Sequence, residues 1–104
     1  PVMFWIHGGG FLNGAASMPL YDGTSLAGRG VTVVSVEYRL GAFGFLTDPE
    51  AGANFAVTDW VRGLEWVRAN AEAFGGDPGR VTVFGQSAGA AATRALLSAP
   101  SARG

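Results

Sequence analysis

A serine stands between small residues in the pentapeptide GQSAG, residues 85–89, directly after a short apolar run and directly before a helix-forming segment. The pattern G-x-S-x-G in this context is typical of a nucleophilic serine on a sharp strand-to-helix turn. Such a turn forces the serine into a sparsely populated backbone conformation, and Gly85 and Gly89 remove the side chains that would collide with it. Ser87 is therefore a candidate nucleophile, with a tight turn that carries an incidental serine as the alternative.

Three consecutive glycines, Gly8, Gly9 and Gly10, follow the apolar run VMFWIH. Because glycines lose much conformational entropy on folding, this repeat favours a requirement of the backbone. Bare amide N–H groups can converge on the oxyanion that forms when a serine attacks a carbonyl group. In hydrolases with such a loop, a further donor is the residue after the nucleophile, here Ala88. The alternatives are a flexible turn and a phosphate cradle, but no spaced nucleotide-binding pattern occurs in the chain.

His7 is the only histidine, and it directly precedes the glycines. We interpret it as a hydrogen-bonded structural residue and not as the general base. In folds with this serine turn, the acid and the histidine follow the nucleophile along the chain. The segment after Ser87, AGAAATRALLSAPSARG, contains no Asp, Glu or His. We therefore expect the base and its orienting acid to lie outside this chain, and a serine without a base is a weak nucleophile at neutral pH.

Composition excludes several classes of function. The 104 residues allow one domain at most, or a piece of a larger one, and they are 48% hydrophobic and 14% charged with a net charge of -1. Without a basic cluster the chain is not expected to bind nucleic acid or an anionic membrane, so small neutral partners are favoured. The absence of cysteine removes disulfides, thiolate metal sites and a cysteine nucleophile. We expect no cofactor, no metal and no membrane span, since the first apolar run is too short for one.

The elements that must position the serine and the glycines can also be predicted. Three apolar runs predict strands at Val2–His7, Val31–Tyr38 and Val81–Phe84, and their near-continuous hydrophobicity is typical of a parallel sheet covered by helices. Apolar residues at helical spacing predict a crossover helix between the second and third strands. Asn54 is its predicted N-cap, and the apolar stripe consists of Val57, Trp60, Val61, Leu64, Val67, Ala71 and Phe74.

A second helix is predicted from the serine to a point before Pro100. The order of strands and helices indicates an α/β fold with right-handed crossovers. The connection from Gly10 to Gly30 is long and irregular, with one helical turn expected near Thr24–Ala27, and connections of this kind are usually functional. Trp66 lies off the apolar stripe.

Five separated segments resemble the type-B carboxylesterase/lipase family, the cholinesterase-like α/β-hydrolases: HGGGF, YDG, YRLGAFGFL, FGGDPGRVTVFGQSAGA and LLSAP. They stand in the family's order and approximate spacing, and the resemblance covers almost the whole chain. It implies a partial α/β-hydrolase fold of three parallel strands with crossover helices, in which the first strand is central and the nucleophile elbow precedes the last helix. It also implies Ser87 as the nucleophile and the amides of Gly9, Gly10 and Ala88 as the oxyanion hole.

The resemblance further implies that residues 1–104 are a fragment of a single catalytic domain, with N-terminal strands before it and the acid and histidine after it. The family usually has Glu where this chain has Gln86, so a preference for cationic substrates is not carried over. The leading hypothesis is a serine hydrolase that cleaves small-molecule carboxylic esters through an acyl-enzyme.

Three alternatives stand beside that hypothesis. The hormone-sensitive-lipase-like esterases also have an HGG loop and the serine turn, but YRLGAFGFL and FGGDP favour type B. A non-catalytic adhesion homologue of the same fold commonly lacks the serine, whereas Ser87 is present here. A stable module with another role would need more polar cover than three strands with open edges provide.

Overall fold

The structure, a computed structural model, describes residues 1–47, 49 and 52–102. One parallel sheet contains β1 (Val2–Ile6), β2 (Thr32–Val36) and β3 (Val81–Gly85), in the order β2-β1-β3. The predicted strands are therefore confirmed to within two residues at each end. The central position of the first strand is confirmed as well.

The register of the sheet brings the loop that follows β1 close to the turn that follows β3. Ile6, the last residue of β1, pairs with Val36 on one side and with Gly85 on the other. Because parallel strands end at the same edge of the sheet, the glycine loop that begins at Gly8 leaves the sheet beside the turn that carries Ser87.

In the described part of the chain, four α-helices and three 3₁₀ turns surround the sheet. The helices are α1 (Thr24–Ala27), α2 (Gly41–Phe45), α3 (Phe55–Asn70) and α4 (Ala88–Ser98), and the 3₁₀ turns are Pro19–Tyr21, Ala71–Phe74 and Pro100–Ala102. The crossover helix, the turn near Thr24 and the helix after the serine were predicted. Helix α2 was not predicted, because a five-residue segment with two glycines carries no helical periodicity.

The core lies between the sheet and the helices α3 and α4. Val2, Phe4 and Ile6 of the central strand are completely buried there. Helix α3 lies close against the sheet at Gly63, where an added Cβ atom would lie 2.8 Å from the Phe4 ring and 3.0 Å from a Val36 methyl group. A larger residue at this position would push α3 away from the sheet.

The apolar stripe of α3 is confirmed in part. Its central members are buried or packed against the core: Val57, Trp60, Val61, Leu64, Val67 and Ala71. The prediction for Phe74 is wrong, since its side chain is 65% exposed. Helix α3 ends at Asn70 and the backbone tightens into a 3₁₀ turn, so the period of 3.6 residues no longer applies at Phe74. Phe74 instead packs against Trp66, with their ring centroids 5.7 Å apart.

The start of α3 also differs from the prediction in one respect. Asn54 occupies the N-cap position, but its backbone is left-handed (φ 56°, ψ 41°) and its side chain makes no capping hydrogen bond. The helix is instead tied to the end of β2 by an ion pair. Arg39 donates from its backbone N and from Nε to Asp59 Oδ2 at 2.9 Å each, and from Nη2 to Oδ1 at 2.7 Å. Burial tends to raise the pKa of Asp59, but the hydrogen bonds from Arg39 outweigh it and hold this pKa below the usual value.

Much apolar surface remains open. The described residues leave one edge of β2 and one edge of β3 without a paired strand. The large apolar side chains that are at least 60% exposed are Leu12, Leu20, Phe43, Leu46, Phe74 and Leu97. No helix in the described ranges has the length and apolar character needed to cross a membrane.

We predict that the 104-residue chain, prepared alone, has poor solubility and no sharp thermal transition, because open strand edges and exposed apolar side chains favour association over a unique folded state. Circular dichroism during heating, combined with size-exclusion chromatography, measures both properties. A cooperative melt of a monomeric chain would contradict this prediction.

Candidate functional site

Ser87 has the strained backbone that the sequence predicted. Its dihedral angles are φ 57° and ψ -118°, a combination that a residue with a side chain rarely adopts. The residue is exposed and lies between the end of β3 and the start of α4. Its carbonyl oxygen accepts hydrogen bonds from the amides of Ala90 at 2.9 Å and Ala91 at 3.1 Å. The first turn of α4 therefore holds the serine in this conformation.

The glycines on either side of Ser87 allow the turn to pack directly on the central strand. A Cβ atom on Gly85 would overlap the backbone of Gly89 and would lie 2.8 Å from the Ile6 carbonyl oxygen. A Cβ atom on Gly89 would overlap the same Ile6 oxygen. The prediction that both positions need glycine is confirmed. Side chains at these two positions would collide with the backbone of β1 as well as with the turn around the serine.

The glycine loop lies against the serine. A Cβ atom on Gly8 would be 2.7 Å from the Gln86 carbonyl oxygen and 3.3 Å from Ser87 Cβ. Gly9 and Gly10 follow with φ values of 125° and 64°. At Gly9 an added Cβ would also overlap the Asn13 carbonyl group, whereas at Gly10 it would meet nothing within 4 Å. Gly10 is therefore required by its conformation and Gly9 by both conformation and space.

Three amide groups of the candidate site have no backbone acceptor among the described residues. Within the described ranges, the N–H groups of Gly9, Gly10 and Ala88 donate to no backbone oxygen in the loops, turns and caps. Ala88 is the first residue of α4, and the first N–H groups of a helix have no acceptor inside it. Unused donors of this kind, together with the positive end of the helix dipole, can stabilise a developing negative charge.

His7 lies beneath the loop, away from solvent. Its side chain is completely buried, and Nδ1 is 2.7 Å from the Gly8 carbonyl oxygen. Nε2 is 3.8 Å from a carboxylate oxygen of Glu37. The interpretation of His7 as a hydrogen-bonded structural residue is confirmed, and none of its described hydrogen bonds joins it to Ser87.

Tyr38 contacts the same histidine, a role that no motif in the sequence predicted. Its hydroxyl group donates to the His7 carbonyl oxygen at 2.8 Å, and the two rings stack with centroids 4.5 Å apart. Burial, with smaller contributions from Tyr21 and Glu37, raises the pKa of Tyr38. The hydroxyl therefore keeps its proton at neutral pH and remains a donor. The only sequence signal for Tyr38 was its place at the start of YRLGAFGFL.

Other components of a catalytic site are not present among the described residues. No hydrogen bond in this part of the chain links Ser87 to an Asp, Glu or His side chain. No group of three or more His, Cys, Asp and Glu side chains in it could hold a metal ion. The neutral side chain of Gln86 lies over Gly8, with Oε1 2.8 Å from the position of an added Cβ.

Comparison with known proteins gives consistent matches. The model of the family described as "Carboxylesterase family" matches residues 1–104. The chain is 53% identical over 109 residues to a para-nitrobenzyl esterase of Bacillus subtilis (strain 168), covering 100% of this chain and 22% of that protein. It is 46% identical over 108 residues to a fumonisin B1 esterase of Sphingopyxis macrogoltabida, covering 96% of this chain and 20% of that protein.

Solved structures give the same result. A pnb esterase structure is similar with a TM-score of 0.94 and 54% identity, over 100% of this chain and 23% of that one. A carboxylesterase of Geobacillus stearothermophilus has a TM-score of 0.92 and 48% identity, over 98% of this chain and 24% of that one. The chain thus spans about a fifth of the length of the curated relatives it matches.

We predict that Gly85→Ala and Gly89→Ala each destabilise the fold by about 3 kcal/mol, because the added methyl group meets backbone that cannot move aside. Denaturant unfolding of the longer protein in which we expect these residues to lie measures the effect. Gly28→Ala is the matched control, since Gly28 has φ -63° and the atoms nearest to its added Cβ lie at 3.4 and 3.5 Å. Equal effects of all three variants would refute the packing argument.

Proposed function

The chain belongs to the carboxylesterase family, and from this premise we propose that it supplies the nucleophile and the oxyanion hole of a serine hydrolase acting on carboxylic esters. Its sheet and helices are part of an α/β-hydrolase fold, as the sequence resemblance implied. The observation that carries the proposal is the exposed Ser87 with φ 57° and ψ -118°, beside a loop in which the amides of Gly9 and Gly10 donate to no backbone oxygen of the described residues.

In the proposed reaction, Ser87 Oγ attacks the carbonyl carbon of the ester. The amides of Gly9, Gly10 and Ala88 donate to the resulting oxyanion, which collapses to an acyl-enzyme as the alcohol leaves. Water then attacks the acyl group and releases the acid. Each donor fixed in advance lowers the barrier because no reorganisation is needed when charge develops, and removal of one such donor typically costs about 3 kcal/mol.

The histidine that acts as the base, and the acidic side chain that orients it, are proposed to lie outside residues 1–104. His7 is the only histidine and is buried beneath Gly8, and no Asp, Glu or His follows Ser87 in the sequence. We therefore propose that these residues are the central fragment of a single catalytic domain with flanking parts on both sides. The relatives, which are about five times longer, support this proposal.

The proposed substrates are small, uncharged esters. Gln86 precedes the nucleophile and carries no charge, so the described residues put no carboxylate next to Ser87 to attract a cationic substrate. Some relatives are named acetylcholinesterases and others carboxylesterase or para-nitrobenzyl esterase. We therefore extend only the cleavage of a carboxylic ester to this chain.

A fluorophosphonate probe is expected to label Ser87 in the full-length protein, and Ser87→Ala is expected to abolish labelling and to lower kcat for a p-nitrophenyl ester by at least about 10⁴-fold. Mass spectrometry of the labelled peptide and initial rates measure these effects. Ser98→Ala, at the exposed far end of α4, is the control and is expected to change neither. Absence of an adduct at Ser87 would favour a non-catalytic binding homologue.

The 104-residue chain alone is expected to release no stoichiometric burst of alcohol from an activated ester, because no base activates Ser87 within it. Rapid mixing of the chain with p-nitrophenyl acetate measures this. A burst that equals the chain concentration and disappears in Ser87→Ala would show that the base is present within residues 1–104.

A further inference from the structure

The direction in which the loop amides point is not fixed by the glycines themselves. The Gly9 carbonyl oxygen accepts hydrogen bonds from the amides of Leu12 and Asn13 at 3.1 Å each, which hold the peptide unit between Gly9 and Gly10. Because glycine adopts many backbone conformations, the peptide unit between Gly8 and Gly9 would rotate at little cost without a contact of its own. In a planar trans peptide unit, the carbonyl group and the following N–H group point in opposite directions. A contact that fixes the carbonyl oxygen therefore also fixes the direction of the N–H group.

The peptide unit between Gly8 and Gly9 is fixed by the His7 ring. The Gly8 carbonyl oxygen lies 2.7 Å from His7 Nδ1, and since a carbonyl oxygen only accepts, Nδ1 carries the proton in this contact. The Gly9 N–H group is thus directed away from the ring. Gly14 closes over this contact, because an added Cβ there would lie 2.8 Å from Nδ1 and 2.5 Å from the Gly8 oxygen.

The preceding peptide unit is fixed by Tyr38. Its buried hydroxyl group donates to the His7 carbonyl oxygen at 2.8 Å, and its ring stacks on the His7 ring at an interplanar angle of 23°. Tyr38 is held in turn by Trp60 of α3, whose ring meets it edge-on with centroids 5.4 Å apart. Tyr38 therefore holds both the backbone carbonyl of His7 and the His7 ring, and this ring orients the next peptide unit.

We propose that Tyr38 is a positioning residue of the reaction, holding His7 so that the Gly9 N–H group stays available to the oxyanion. The inference rests on the proposed function. If the peptide unit between Gly8 and Gly9 rotated by half a turn, the Gly8 carbonyl oxygen would take the place of the Gly9 N–H group. A donor would become an acceptor facing developing negative charge. Tyr38 itself is 7% exposed and its hydroxyl is already used, so it does not touch the substrate.

Tyr38→Phe in the full-length protein tests this role, because it keeps the ring and removes only the hydroxyl donor. The expected result is a fall in kcat of about tenfold with KM within about twofold, since the donor acts on the oxyanion and not on bound ester. The inhibition constant of an aryl trifluoromethyl ketone, whose serine adduct carries an oxyanion, is expected to rise by a similar factor. If Tyr38 only supported folding, Tyr38→Phe would alter thermal stability and leave both kcat and the inhibition constant unchanged.

Thr58→Val is the matched control. It also removes a hydroxyl group that donates to a backbone carbonyl, that of Asn54 at 3.3 Å, but on the exposed start of α3. Wild-type kcat, KM and inhibition constant are expected for this variant. If it reproduced the losses of Tyr38→Phe, the effect would be unspecific and the positioning role would be overturned.

A second pair of variants changes the contact between His7 Nδ1 and the Gly8 carbonyl oxygen. This pair tests the positioning role if Tyr38→Phe does not fold. His7→Asn keeps an amide nitrogen where Nδ1 lies, whereas His7→Leu removes the donor. His7→Asn is expected to retain a several-fold higher kcat than His7→Leu.

Equal kcat values for His7→Asn and His7→Leu, or a Tyr38→Phe variant with wild-type kinetics in an active enzyme, would overturn the positioning role alone. A wild-type protein that hydrolyses no ester and takes up no fluorophosphonate would overturn the proposed function, and the positioning role with it.

Discussion

The site depends on one backbone-to-backbone contact, between the end of the central strand and the turn that follows β3. Gly89 lies so close to the Ile6 carbonyl that no side chain fits between them, and Gly85 is enclosed by the same two backbones. A strained residue such as Ser87 carries about 1 to 3 kcal/mol of excess conformational energy. It persists only because its surroundings are packed around it. The central strand thus supports the serine from below and begins the glycine loop beside it.

Around this contact, the groups proposed for chemistry belong to the backbone, and the side chains behind them set their direction. The amides of Gly9 and Gly10 have no side chains that could obstruct an ester, but for the same reason they cannot hold themselves in place. His7, Tyr38 and Trp60 form a continuous buried layer beneath the loop. This layer links the end of β1 to the end of β2 and to α3. The direction of the loop amides after β1 therefore depends on β2 and α3, which carry no proposed catalytic group.

The sequence predicted the elements well where a local rule applied. Apolar and β-branched runs gave the strands, and the strained turn at Ser87 followed from the pattern G-x-S-x-G with its strand and helix. The central position of β1 came from the family resemblance, since hydrophobicity alone does not order the strands. Phe74 was misassigned because a change from α to 3₁₀ geometry leaves no mark in the spacing of apolar residues.

The role of Tyr38 could not be predicted, for a reason that applies to most long-range contacts. Its hydroxyl meets the His7 carbonyl across 31 positions of sequence. That contact requires the register between β1 and β2, the direction in which the chain leaves β2, and the ion pair from Arg39 to Asp59 that fixes this direction. None of these is encoded in a local pattern. A tyrosine at the end of an apolar run is compatible with any of several orientations.

Stabilisation of the oxyanion and activation of the nucleophile are physically separable parts of the proposed mechanism. The first needs donors fixed in space, which a strand end, three glycines and a helix N-terminus can provide within a short stretch of chain. The second needs a titratable side chain at hydrogen-bond distance from Ser87 Oγ, and a third group that orients it. His7 is completely buried beneath the loop, and none of its described hydrogen bonds reaches Ser87, so it is not placed to act as the base. On the proposed mechanism, His7 therefore serves the oxyanion donors, and the base is supplied from outside residues 1–104.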